Sequence, residues 1–147
     1  MKRWLTGSAV LVALLAVSVY AADEVNLKGV KCPVSGQPVK ADKTLDYKGA
    51  KIYFCCENCP KKFDAKNKLQ AAKANMQLVQ TKQAKEEKCP IKGTDLNPAT
   101  KIDVSGVDVC FCCNGCKGKV LKAKGDEQIE MVFSDEAFKK GFKVIKK

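Results

Sequence analysis

Nine cysteines carry most of the chemistry this chain can do, and eight of them fall into two sets with the same spacing. The first set is Cys32, Cys55, Cys56 and Cys59; the second is Cys89, Cys112, Cys113 and Cys116. Each member of the second set follows its counterpart by 57 positions. Pro33 and Pro90, Gly36 and Gly93, Asp46 and Asp103, Gly49 and Gly106, and Phe54 and Phe111 keep the same offset. Agreement at that many positions is the signature of a tandem duplication. Only Cys110 lacks a cysteine partner, because Tyr53 stands at its place in the first copy.

Thiolates bind soft metals, exchange as disulfides or attack as nucleophiles. Histidine is absent from the whole chain. That removes the usual general base and the commonest metal ligand, and excludes Ser-His-Asp and Cys-His catalysis. A metal site here must be built of thiolates, with carboxylate or water filling in. Three readings of the cysteines stay open on composition alone. They are metal ligation, disulfide staples such as Cys32–Cys59 and Cys89–Cys116, and redox catalysis at Cys56-x-x-Cys59 and Cys113-x-x-Cys116. Redox catalysis fits least well, because no βαβ pattern surrounds the motif. The chain reads as a binding protein rather than an enzyme.

The elements that must position these cysteines are short. Each unit is about 60 residues or less, too small for an ample apolar core, so it needs staples of metal or disulfide. Cys32-Pro-x-x-Gly36 reads as a tight turn. Thr44–Tyr47 and Lys51–Cys55 read as a hairpin turning at Lys48-Gly49. Residues 58–76 read as one helix, with Asn58 as cap and Pro60 in its first turn. Residues 77–81 then read as a short strand, and the charged stretch 82–88 as a linker. The second unit repeats the hairpin over 100–113 and a shorter helix from Asn114, stopped by Gly125. Residues 127–133 read as a strand, and a last helix capped by Ser134 or Asp135 ends at Gly141.

In each unit the first cysteine thus lies on a turn, the second at a hairpin's end and the third in a helix's first turn. Small metal modules gather ligands from distant sequence in this way. A helix N-terminus is also expected to favour the thiolate of Cys59 and Cys116. Successive strand residues face opposite sides, so Cys55 and Cys56 compete for the inward position, and geometry alone leaves both open. By the same alternation Cys110 and Cys112 face one side. Cys110 is either a buried small hydrophobe or an auxiliary ligand. Lys61 and Lys62 read as a solvated helix face that would also offset thiolate charge. Ile52, Phe54, Leu69, Leu78, Val79, Val109, Phe111, Phe133, Phe138 and Phe142 read as core.

The spacing resembles that of the TRASH/YHS group of treble-clef-like metal-binding modules. Twenty-two residues separate Cys32 from Cys55 and three separate Cys55 from Cys59; Cys89, Cys112 and Cys116 repeat both. Gly49, Tyr53, Phe54 and Phe63 also stand where that pattern has them. The likeness covers Cys32 to about Leu69 and Cys89 to about Lys122. It departs from the family in lacking the His and Ser of the family name, in the extra Cys56 and Cys113, and in Val120 where the first unit has Phe63. The resemblance implies an α+β fold of two tandem small treble-clef-like modules, each a cysteine turn, a β-hairpin and a helix. It implies metal ligation by Cys32, Cys55 and Cys59 and by Cys89, Cys112 and Cys116. Cys56, Cys113 and Cys110 are further candidate ligands. Zn2+ or Cu+, up to two per chain, suits such thiolate sites. Members of the group handle copper and heavy metals, which implies binding, storage or delivery, with a metal transporter or acceptor protein as partner.

The N-terminus bears on where this happens. Lys2 and Arg3 precede the apolar run Leu5–Val19, and small residues at Val19 and Ala21 suit cleavage after Ala21. That pattern is a secretory signal peptide over 1–21, too short for a spanning helix. The expected organisation is therefore 22–81 as the first module, 82–88 as linker and 89–147 as the second module with its C-terminal helix. The product would be exported, periplasmic or secreted, with no stable membrane anchor after cleavage. Losing Lys2 and Arg3 lowers the net charge of +11 to +9, and all remaining cations are lysines. Without arginine forks for phosphates and guanines, nucleic acid is not an expected partner.

Overall fold

A computed structural model describes residues 25–145. The signal-peptide reading of residues 1–21 lies outside them. Among the described residues no helix is long and apolar enough to cross a membrane. The chain is mixed α+β, with small helix and sheet modules around each cysteine cluster.

In the first unit β1 (Lys40–Tyr47) pairs antiparallel with β2 (Ala50–Phe54). Lys48 (φ 53°) and Gly49 (φ 80°) make the two-residue turn between them. Two successive positive φ angles match the strand twist, and glycine takes the second without a Cβ penalty. The second unit repeats this with β4 (Asn97–Val104) and β5 (Val107–Phe111) around Ser105 (φ 52°) and Gly106 (φ 85°). Both hairpins shift register near their open ends, between Lys40 and Thr44 and between Asn97 and Ile102. The duplication is therefore structural as well as sequential.

The helices depart from expectation. Residues 58–76 are not one helix: α1 (Asn58–Lys62) stops at Phe63, which is extended, and α2 (Lys68–Gln80) starts afresh. Local side chains cause the break. Asp64 Oδ1 accepts from Lys66 N, and Asn67 Oδ1 accepts from Gln70 N to cap α2. Such short-range bonds offer the backbone an alternative to a continuous helix. Asn58 is the first helical residue rather than the cap; Glu57 holds that position without a side-chain bond. The strand expected at 77–81 is the end of α2, where Leu78 is fully buried and Thr81 Oγ1 donates to the Gln77 carbonyl.

The stretch 82–88, read as a linker, contains β3 (Ala84–Glu86), which pairs antiparallel with β6 (Phe142–Val144). After α3 (Asn114–Lys122), the expected strand at 127–133 is instead α4 (Asp126–Phe133). Its buried residues Ile129, Val132 and Phe133 follow helical spacing. Gly125 precedes α4 as its cap residue rather than ending α3. The last helix, α5 (Asp135–Gly141), forms as expected, with Ser134 accepting from Ala137 N.

One apolar cluster runs through both units, because α2 packs against α4 and α5. Phe133 and Phe138 both pack on Phe142, with ring centroids 5.4 Å apart. Phe63 meets Tyr47 and Phe54 edge-on. Leu69 and Val79 are partly buried; the other expected core residues are buried. Lys48, on the first hairpin's turn, joins the units. Its ammonium binds Asp135 and Asn75 and lies 5.1 Å from the centroids of both Tyr47 and Phe138.

Candidate metal centre

The tight turn that carries the first cysteine of each unit, its knuckle, folds on its own backbone. Cys32 N donates to the Gln37 carbonyl at 2.7 Å and Gly36 N to the Cys32 carbonyl at 2.9 Å. Cys89, Gly93 and Thr94 repeat both bonds in the second unit. Burial then sets the sulfurs inward: Cys32 is 1 % exposed and Cys89 is fully buried. Cys55 follows directly on β2, and Cys112 on β5. Cys59 lies in α1 and Cys116 in α3.

These ends of structure meet. The sulfurs of Cys32, Cys55 and Cys59 all lie within 4.8 Å of one another, as do those of Cys89, Cys112 and Cys116. Cys55 and Cys59 are 3.5 Å apart, and Cys112 and Cys116 are 3.6 Å apart. A metal–sulfur bond of about 2.3 Å in trigonal or tetrahedral geometry places sulfurs roughly 3.8–4.0 Å apart. Both triangles therefore suit a soft ion, and small adjustments of half-buried Cys55 and Cys112 would complete the fit.

The hairpin edges that end at these cysteines are held by side chains from outside the hairpins. Gln77 on α2 accepts from Tyr53 N at 2.6 Å and donates to the Tyr53 carbonyl at 2.9 Å, as a neighbouring strand would. Gln83 does the same for Lys51. At the equivalent place in the second unit, Glu86 Oε2 accepts from Cys110 N at 2.9 Å. Sequence reasoning missed all three. Their polar side chains gave no periodic signal, and only the tertiary packing brings them to the strands.

Charge within the triads is unevenly held. Burial opposes ionisation of Cys32, but the Ser35 hydroxyl and the backbone N–H groups of Ser35, Cys55 and Val34 outweigh it and bring its pKa down to about 7. Cys59 goes the other way, pushed up to about 12 by burial and by the neighbouring thiols. Cys89 is lowered, since N–H groups of Cys112, Lys92 and Ile91 overcome its burial, whereas Cys116 is pushed up to about 12 by burial and neighbouring thiols. This corrects the expectation that the helix cysteine is the ready thiolate. Three sulfurs in contact cannot all ionise without a cation, and the first charge settles where most N–H donors converge.

Ser35 is a fourth residue that sequence reasoning missed. Its hydroxyl lies 3.1 Å from Cys55 Sγ. Lys92 holds that position in the second unit, so the departure from the repeat at this site was the available signal. Cys110 belongs to neither triad. Burial and the Glu86 carboxylate raise its pKa. Cys112 lies one residue past β5, which ends at Phe111, where the chain bends.

No known protein family, curated protein or solved structure matches the chain. Fold and site nonetheless define a class: a duplicated cysteine-rich module whose two three-cysteine clusters can coordinate metal.

Proposed function

We propose that this is an exported protein that binds soft metal ions, one at Cys32, Cys55 and Cys59 and one at Cys89, Cys112 and Cys116, for storage or delivery rather than catalysis. The observation that carries this reading is the convergence of three sulfurs within 4.8 Å in each of the two copies of the repeat. Thiolate sets select zinc, Cu(I) or related soft ions. The motif resemblance to TRASH/YHS modules supports copper and heavy-metal handling, with a transporter or acceptor protein receiving the ion. The signal-like N-terminus supports export.

The test is the protein purified from the periplasm without added reductant. Elemental analysis should find about two soft metal ions per chain. Free thiols should become titratable only after a chelator removes them. N-terminal sequencing should read from Ala22. Metal-free protein with its thiols oxidised would refute metal binding in favour of disulfide staples. Turnover in insulin reduction would refute the absence of catalysis.

A further inference from the structure

Each triad has an extra thiol beside it that strand geometry would have turned away. Alternation would place Cys55 and Cys56 on opposite faces, but β2 ends at Phe54 and residues 55–56 form a bend. Both side chains therefore turn toward the start of α1. Cys56 Sγ lies 3.3 Å from Cys59 Sγ. Cys59 consequently touches Cys55 and Cys56, with the Cys32 sulfur within 4.8 Å. In the second unit Cys113 Sγ lies 3.8 Å from Cys112 Sγ, which is itself 3.6 Å from Cys116 Sγ. Cys56 and Cys113 are partly exposed, whereas the knuckle and helix cysteines are buried.

We propose that Cys56 and Cys113 are the fourth donors of the two sites, each completing a three-sulfur cradle whose turn and helix cysteines are buried. This rests on the metal-binding reading above. Four thiolates make a tetrahedral site, the geometry that zinc and cadmium take, whereas three favour trigonal Cu(I). The fourth donor thus decides which soft ion is held best. Being partly exposed, as Cys55 and Cys112 also are, it is also a ligand that an incoming thiol of an acceptor can reach. Binding requires loss of the Cys56 and Cys113 protons to solvent, with no change of oxidation state at sulfur or metal.

The test loads the reduced full chain anaerobically with two equivalents of cadmium. It compares wild type with C56A, C113A and the double variant, and repeats the series with serine in case alanine disturbs folding. Cadmium–sulfur charge-transfer absorption counts the bonds. Eight sulfur bonds should fall to seven in either single variant and to six in the double, losses of about one eighth and one quarter. Cadmium NMR should show two four-sulfur resonances in wild type, with one moving to the three-sulfur region in each single variant. Unchanged absorption and resonances in variants that still bind two ions would overturn the fourth-donor assignment and leave metal binding standing. A wild-type chain that takes up no cadmium would overturn the metal-binding reading itself.

Discussion

Replacing Glu86 by glutamine should raise stability at alkaline pH and leave it nearly unchanged in acid. Glu86 sits on β3 with one carboxylate oxygen bonded to Cys110 N and the other, Oε1, buried without a partner. Burial pushes its pKa from the ordinary 4.5 up to about 7, against the lowering effect of that one N–H. A raised carboxyl pKa means that the folded state disfavours the charged form. Stability is therefore greatest below pH 4.5 and falls as pH rises toward 7, beyond which the full penalty applies. At about 1.4 kcal/mol per tenfold, the penalty is at most about 3.5 kcal/mol. The group is only partly buried, so solvent screening reduces this to about 1–2 kcal/mol. Glutamine keeps the acceptor for Cys110 N, adds a donor and carries no charge, as Gln77 does for Tyr53. Urea unfolding of reduced, metal-free wild type and E86Q at pH 5 and pH 8 measures the effect. The difference between the two proteins should grow by about 1–2 kcal/mol between those pH values. An equal difference at both would refute the claim that Glu86 is forced toward its neutral form.

Two further substitutions probe how the units are held. At Gly141 an added Cβ would meet Lys88 O and Pro90 Cα at 2.8 Å, beside the second knuckle. Gly141→Ala should therefore destabilise the chain by about 1–3 kcal/mol and speed metal release from the second site more than from the first. Equal release from both sites in stopped-flow chelator exchange would count against this. Lys48→Ala removes the ammonium shared by Asp135, Asn75 and two aromatic faces, and should lower stability by about 1–2 kcal/mol in thermal unfolding at neutral pH. Burial alone would raise the Asp135 pKa, but Lys48 and Asn75 hold it below its ordinary value. The Lys48 effect should thus fade as pH falls through that low pKa, and an effect constant down to pH 2 would refute the ion pair's part in it.

The duplication, the two hairpins and the three-element plan of each site were legible from residues alone. Cysteine spacing, Lys48-Gly49 and Ser105-Gly106 are local signals, and local signals set turn chemistry. The break at Phe63 was also written locally, in Asp64 and Asn67, but a run of helix-forming residues on both sides concealed it. Residues 127–133 were misread because Ile129, Met131 and Phe133 alternate, while the helical set Ile129, Val132 and Phe133 is equally present. Short apolar runs satisfy both periods, and packing against α2 decides between them.

By itself the sequence determined which atoms are available for chemistry: sulfur without imidazole, in two copies, at turn, strand end and helix start. Tertiary structure decided what those sulfurs face. It ended β2 and β5 one residue before the paired cysteines, so that Cys56 and Cys113 bend toward the sites instead of away. It also brought the N–H groups of Cys55 and Cys112 to Cys32 and Cys89, where they add to the N–H groups of each turn and favour the thiolate there over the helix cysteine. Spacing sets which groups can meet, but hydrogen bonding and burial act through space, and only the folded chain specifies them.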